Sequence, residues 1–201
     1  EVSHDSSKHA KSISFKDMGK SIASNPQLLL VLIFDFLKLI GYYTLMATVA
    51  YYAKVVLQDE AAMSIILVVF NVGALVGSLI SKNVVAKLGS KMTNIVGVLG
   101  FAVCLVAIYV MPANMMIVTV LLGIAQIFFG ISYGNTTSLY SNCGTYSEYK
   151  TGKNTKAVIM SFSSLAIKIS IAVRGVVITS VLSAIGYHAN AAITSSTVSG
   201  I

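Results

Sequence analysis

The chain has 201 residues, of which only 10% are charged, against about 25% in soluble domains. Hydrophobic residues make up 56%, and apolar runs of about 18 or more residues are long enough to cross a membrane. The net charge of +7 does not indicate nucleic-acid binding, because the basic residues lie between apolar runs rather than on one soluble face. The composition therefore excludes a typical soluble domain. It predicts an integral membrane protein that contacts the lipid bilayer and no nucleic acid.

Residues 1–24 form a polar, lysine-containing linker before the first apolar run. Ser14 and Asp17 have the spacing of a helix-capping box, with apolar residues on one side of the following turn. This pattern predicts a short helix on the inner membrane surface, with a solvated tail as an equal alternative. The chain begins with Glu1 and shows no signal-peptide apolar core, so we interpret it as a fragment or a processed piece.

Five apolar spans follow, within a transmembrane bundle predicted over residues 25–186. A chain that crosses lipid must satisfy its backbone hydrogen bonds internally, and continuous apolarity favours helices over an alternating barrel. Pro26 marks the first start, and Pro112 lies in a tight turn between the third and fourth spans. After the fifth span, residues 187–201 are small and polar, which predicts an outer, poorly ordered tail. The predicted spans are 27–53, 61–81, 92–110, 115–140 and 157–185.

Lysines are distributed unequally between the two sides of this predicted all-α bundle. One side has only Lys54, whereas the other has ten lysines. Because loops rich in lysine stay in the cytoplasm, the sequence predicts a multi-pass plasma-membrane protein with a cytoplasmic N-terminus. Residues 142–156 then form an inner-face loop between the fourth and fifth spans. The ten lysines are Lys8, Lys11, Lys16, Lys20, Lys82, Lys87, Lys91, Lys150, Lys153 and Lys156.

Four charged residues lie within the predicted spans: Asp35, Lys38, Lys168 and Arg174. An embedded charge costs about 2.5–3.5 kcal/mol at a helix centre, so it usually faces a bundle interior or a wet cavity. Lys168 would lie roughly 16 Å deep, close to the midplane. It shares a small and polar stripe, which predicts a cavity wall, with a structural ion pair to an acid of the same bundle as the alternative. The stripe comprises Ser161, Ser164, Lys168, Ala172 and Gly175.

The other embedded charges have simpler interpretations. Asp35 and Lys38 are three residues apart, which favours mutual neutralisation on one helix. Arg174 lies on a different stripe and nearer the outer side, where a long side chain can snorkel, and its function is left open.

The inner half of the fourth span combines an aromatic ring with hydrogen-bonding groups. Tyr133, Asn135 and Thr136 are of the kind that a sugar site needs. The same span and the second span carry glycines four residues apart, a pattern that more often means close helix packing. These glycines are Gly73 with Gly77 and Gly130 with Gly134.

The stretch "NCGTYSEYKTGKNTKA", residues 142–157, is the most polar run between two long apolar segments. A phosphate-binding loop is disfavoured, because it requires a glycine five residues before Gly152, where the chain has Ser147. The sequence has no paired-acid, Cys/His or Ser/His constellation and no metal-ligand spacing. It therefore predicts neither an enzyme nor a bound cofactor.

With these residues placed, the sequence resembles the glycoside–pentoside–hexuronide:cation symporter family, the melibiose-carrier relatives within the major facilitator superfamily. The family pattern is roughly D-C-x-D-Y-G-E-[WY]-K-T-G-K-R, and residues 142–154 read N-C-G-T-Y-S-E-Y-K-T-G-K-N. The segments "SFKDMGKSIASNPQLLLVL", "YYAKVVL", "KLGSK" and "SFSSLAIKIS" add to the resemblance. Asn142 and Thr145 replace the usual aspartates and Asn154 the usual arginine, departures that bear on coupling or regulation. The matching residues are Cys143, Tyr146, Glu148, Tyr149, Lys150, Thr151, Gly152 and Lys153.

The resemblance implies the C-terminal half of a twelve-helix transporter, with the five spans as its seventh to eleventh and the last one missing. It implies a sugar symporter for glycosides or oligosaccharides that works by alternating access. The coupling cation would be Na⁺, Li⁺ or H⁺, with its main ligands in the missing N-terminal half. Lys168, Ser164 and Tyr133 would line the sugar cavity. The inner-face loop would gate transport through Tyr146, Glu148, Lys150, Gly152 and Lys153. The alternatives are a transporter of another solute, such as a lipid or drug, or a non-transporting membrane subunit.

Overall fold

In the computed structural model of the chain, the described residues are 25–52, 60–111, 114–151 and 155–184. These ranges form four α-helices, each long and apolar enough to cross a membrane. This architecture confirms the predicted all-α membrane fold class. The predicted linker over residues 1–24 and the outer tail over residues 187–201 lie outside the described residues. The helices are α1 (Pro26–Tyr52), α2 (Glu60–Val110), α3 (Met115–Thr151) and α4 (Lys156–Ala184).

Two of the helices begin where the sequence supplies a capping side chain. Asn25 Oδ1 accepts a hydrogen bond of 3.2 Å from the Leu28 backbone N–H, and Pro26 occupies the first helical position, where no N–H is needed. Asn114 Oδ1 likewise accepts a hydrogen bond of 2.9 Å from the Met116 N–H at the start of α3. The predicted starts of these two spans differ from the observed ones by at most one residue.

The chain reverses direction inside α2, at Gly89. This residue has φ of 76°, in the left-handed region that favours glycine. Before the break, residue numbers on α2 and α3 rise together along their interface, and after the break they run in opposite directions. The second helix therefore comprises two antiparallel segments, 60–88 and 90–110, which correspond to the separate spans predicted over residues 61–81 and 92–110. The contacts that establish this are Gly73–Gly123 and Ser81–Ile131 before the break, and Ser90–Asn135 and Asn94–Ser132 after it.

Both segments of α2 pack closely on α3 through small residues. A Cβ atom placed on Gly73 would lie 2.6 Å from the carbonyl oxygen of Gly123. Gly77 and Gly130 approach the facing backbone even more closely, so neither position has room for a side chain. The close-packing interpretation of the glycine pairs is therefore confirmed for the α2–α3 interface.

Two clusters of buried side chains mark the ends of the bundle and indicate its thickness. Leu28 and Val49 on α1 are 21 residues apart, as are Leu122 and Cys143 on α3, which corresponds to about 32 Å at 1.5 Å per residue. This separation matches the hydrocarbon core of a bilayer, about 30 Å. We call the two levels the Cys143 end and the Val49 end. The first cluster comprises Leu28, Tyr140, Cys143, Ile159 and Phe162, and the second comprises Val49, Ile66, Val118 and Leu122.

Helix α3 is longer than the fourth span predicted from the sequence, which ends at residue 140. Residues 142–151, predicted as part of a loop, continue α3 as far as Thr151, about 12 Å beyond Cys143. This part of the prediction is wrong, because polar residues such as Glu148 and Lys150 are good helix formers and no proline interrupts them. The Thr145 hydroxyl also donates to the Ser141 carbonyl within the helix, at 3.2 Å.

Candidate functional site

The middle of the bundle contains a buried ion pair on α1. Lys38 Nζ lies 2.9 Å from Asp35 Oδ1, and both side chains are almost fully buried. The contact is an ion pair rather than a well-directed hydrogen bond, because Oδ1 has no partner in hydrogen-bond geometry among the described residues. The pairing confirms the prediction that these two charges neutralise one another.

The ion pair also ties α1 to α3. Lys38 Nζ donates a hydrogen bond of 2.8 Å to Thr136 Oγ1, and the Tyr140 hydroxyl donates one of 3.1 Å to Asp35 Oδ2. Sequence reasoning did not anticipate Tyr140, although its four-residue spacing from Thr136 places both side chains on one face of α3. Four side chains thus satisfy two buried charges across one helix interface, as the cost of embedding them requires.

The side chains of Asn135 and Thr136 form hydrogen bonds to neighbouring helices. Asn135 Nδ2 donates to the carbonyl of Ser90 at 2.7 Å, and Thr136 accepts from Lys38. Both side chains are buried in helix interfaces. The expectation that they offer open hydrogen-bonding groups to a sugar is therefore wrong for this conformation.

Tyr133 is the one member of that group that remains accessible. Its side chain is 45% exposed, and its ring stacks on Phe129 with centroids 5.7 Å apart. Lys38 Nζ lies 6.0 Å from the centroid of the Tyr133 ring, so the buried ion pair sits directly beside this exposed aromatic face. Phe129 in turn stacks on Tyr42 of α1, with ring centroids 4.2 Å apart, so the rings of Tyr133, Phe129 and Tyr42 form a continuous stack between α3 and α1.

Lys168 lies at the same depth as the ion pair. The Ser170 hydroxyl of α4 donates a hydrogen bond of 3.4 Å to the Phe36 carbonyl of α1, which fixes the register of the two helices. Along the bundle axis, Lys168 therefore lies within about two helical turns of residues 35–38, near the middle of the bundle. This agrees with the depth estimated from the sequence.

The stripe around Lys168 faces away from the described helices. Ser161, Ser164, Lys168, Ala172 and Gly175 are all exposed, whereas Ile159, Phe162, Ala166 and Ser170 on the other side of α4 are buried. Within the described ranges, Lys168 makes no hydrogen bond or ion pair, so the alternative of an ion pair inside this part of the bundle finds no support there. No hydrogen bond links Lys168 or Ser164 to Tyr133 among these residues either.

At the Cys143 end, the predicted gating residues lie where α3 meets α4. Glu148 Oε2 is 3.8 Å from Lys156 Nζ, and both side chains are more than 40% exposed. The Thr155 hydroxyl donates to Ser147 Oγ at 3.0 Å and joins the two helices again. Tyr146 and Lys150 are exposed on the extension of α3. Gly152 and Lys153 lie outside the described residues.

A bundle of membrane-length helices, with paired charges buried at mid-depth and a lysine that has no partner among the described residues on an exposed polar stripe, has the features of a multi-pass membrane transporter. The sequence itself matches the family described as "MFS/sugar transport protein" over residues 2–201. The chain belongs to this family, and the resemblance to the symporters of the major facilitator superfamily is confirmed.

Three curated relatives match most of this chain. The "Uncharacterized symporter YjmB" of Bacillus subtilis is 25% identical over 94% of this chain and 41% of its own length. The "Glucuronide carrier protein homolog" of Escherichia coli is 27% identical over 90% of this chain and 40% of its own length. The "Isoprimeverose transporter" of Lactiplantibacillus pentosus is 26% identical over 90% of this chain and 38% of its own length. The chain thus spans about two fifths of the length of these relatives.

Proposed function

We propose that the chain is the C-terminal half of a cation-coupled sugar symporter that works by alternating access. The relatives named for a glucuronide and for isoprimeverose support a glycoside or oligosaccharide as the substrate. In this mechanism two halves of a transporter rock around a site near the membrane midplane. The other half would supply the facing wall of that site and the main ligands of the coupling Na⁺, Li⁺ or H⁺.

The observation that carries the proposal is the exposed stripe on α4. Ser164 and Lys168 present a hydroxyl and an ammonium group at mid-depth, where an unpaired charge facing lipid would be costly. A wet cavity between two halves removes this cost. In that cavity Lys168 can donate hydrogen bonds to sugar hydroxyls, and the exposed ring of Tyr133 can pack against an apolar face of the sugar.

The polar residues at the Cys143 end would act in opening and closing the cavity. This end would face the cytoplasm, together with the N-terminus, because the lysines are concentrated there. Glu148, Lys150 and Tyr146 extend on α3 beyond the hydrocarbon core, where they can contact the other half in one state and release it in the next. Such exposed charge contacts are weak individually, which suits a gate that must open and close.

Uptake by the full-length transporter tests this proposal. Vesicles containing it should accumulate labelled glycosides, and an imposed sodium, lithium or proton gradient should drive accumulation above the level reached without a gradient. If no cation gradient changes the accumulation, transport is not coupled to a cation. If the vesicles transport a lipid or a drug but no glycoside, the proposed substrate class is wrong.

A further inference from the structure

The reversal at Gly89 gathers positive charge at the Cys143 end of the bundle. Lys82 and Lys87 precede the reversal and Lys91 follows it by two residues, so ten residues of chain carry three ammonium groups. All three side chains are exposed. Leu88 and Met92, at the same reversal, are about half exposed. We call these five residues the turn patch.

None of the acids that the structure describes pairs with the turn patch. Glu60 lies at the opposite end of its segment, Asp35 is engaged with Lys38, and Glu148 at the Cys143 end lies 3.8 Å from Lys156. Lys82, Lys87 and Lys91 make no hydrogen bond or ion pair with any described residue. Three neighbouring cations that pair with no described acid attract an anion from outside this part of the chain.

The depth of the turn patch decides what kind of anion can reach it. Gly89 lies about 12 Å along the segment from Ser81, whose hydroxyl donates to the Ile131 carbonyl, and this places the reversal close to the level of Cys143. That level is the edge of the hydrocarbon core. Lys82 lies about two turns deeper, so its long side chain must extend back toward the headgroups to keep its ammonium group hydrated.

The turn patch offers both charged and apolar contacts to a ligand. Its lysines suit a phosphate group, while Leu88 and Met92 are placed at the boundary where acyl chains begin. A soluble polyanion would match the charges but leave the apolar side chains without a partner. A phospholipid with net negative charge offers both the phosphate and the acyl chains.

We infer that the turn patch is a binding site for the headgroup of an anionic phospholipid. Lys82, Lys87 and Lys91 hold its phosphate, and Leu88 and Met92 lie against the upper part of its acyl chains. The inference depends only on the depth and charge of the turn patch on α2. It does not depend on which solute the protein transports.

The test uses the full-length transporter in nanodiscs of phosphatidylcholine with a minor fraction of phosphatidylglycerol. Lipids that remain bound after gentle release into detergent are identified by native mass spectrometry. The wild-type protein should retain phosphatidylglycerol in preference to phosphatidylcholine. A variant with Lys82, Lys87 and Lys91 changed to Gln should lose at least about tenfold of this preference, since each juxtamembrane lysine contributes about fivefold.

A matched triple variant provides the control. Changing Lys150, Lys153 and Lys156 to Gln removes the same charge from the same membrane face, but outside the turn patch, and should reduce the preference for phosphatidylglycerol clearly less than the turn-patch variant does. Equal losses in both triple variants would show a general effect of charge and overturn the site. A wild-type protein without preference for phosphatidylglycerol would also overturn it, because the lysines then pair with acids elsewhere in the transporter.

Discussion

The hydroxyl of Tyr140 on α3 donates a hydrogen bond of 3.1 Å to Asp35 on α1, whose other carboxylate oxygen pairs with Lys38. Through this bond and the one from Lys38 to Thr136, two helices that meet at the centre of the membrane share a single charge-neutral cluster. Removing either charge leaves the other one buried without a partner. The cluster is therefore more sensitive to single substitutions than to paired ones.

Asp35→Asn is expected to destabilise the protein by about 3–5 kcal/mol, because the ammonium group of Lys38 stays buried without its counter-charge. The double variant D35N/K38Q removes both charges and should recover most of this loss. Thermal unfolding of the purified full-length transporter measures both effects. Glu148→Gln is the control, since that exposed pair should contribute less than about 1 kcal/mol. Equal losses in the double variant and in the sum of the two single variants would show that the charges do not stabilise one another.

The glycines of the α2–α3 interface support a second prediction. Gly77→Ala places a Cβ against the backbone of Ile127 and should lower stability by about 1–3 kcal/mol, because both helices must move apart. Gly41→Ala on α1 meets nothing within 4 Å in the described structure and should raise stability by about 0.5–1 kcal/mol through helix propensity. The two variants carry the same chemical change and are compared by their unfolding midpoints. Similar effects of the two substitutions would contradict the close packing at Gly77.

The sequence was sufficient for the class of fold, for the depth of Lys168 and for the pairing of Asp35 with Lys38. Apolar run length and helical rise depend only on local chain geometry, and for this reason Lys168 lies at the expected level. The periodicity of α4 also separated its exposed stripe from its buried side. These features need no knowledge of which helix lies beside which.

The features that were missed depend on neighbours in space. Asn135 and Thr136 have the chemistry of a sugar site, but only the packing of α2 and α1 on α3 shows that Ser90 and Lys38 occupy them. The sequence separated the two spans on either side of Gly89, but the lysines around it suggested a longer loop than the single-residue reversal that the structure shows. The extension of α3 to Thr151 was missed because the polarity of residues 142–151 indicates that they lie outside the hydrocarbon core, but not whether their backbone is helical.

The lysine distribution leads to a third prediction, on topology. In a full-length transporter without Cys104 and Cys143, a cysteine introduced at His188 should react with a membrane-impermeant reagent added outside. A cysteine at Lys150 should react only after the membrane is permeabilised, because positively charged segments stay in the cytoplasm. The signal at position 150 after permeabilisation is the control for its reactivity. The reverse pattern of labelling would show that the Cys143 end faces outward.

Lys168 supports the last prediction. Its ammonium group lies at mid-depth on an exposed stripe, with no partner among the described residues, and in the proposed function its partners are substrate, water or an acid of the other half. Lys168→Ala in the full-length transporter should abolish coupled sugar uptake while the protein still accumulates in the membrane, because removing an embedded charge does not burden insertion. Lys168→Arg keeps the charge but changes its size and its hydrogen-bond geometry, and should impair uptake as well. Uptake into vesicles and the amount of protein in the membrane are measured for each variant. Normal uptake by the alanine variant would show that Lys168 lies outside the site. Loss of the alanine variant from the membrane would show instead that Lys168 holds the two halves together through an ion pair.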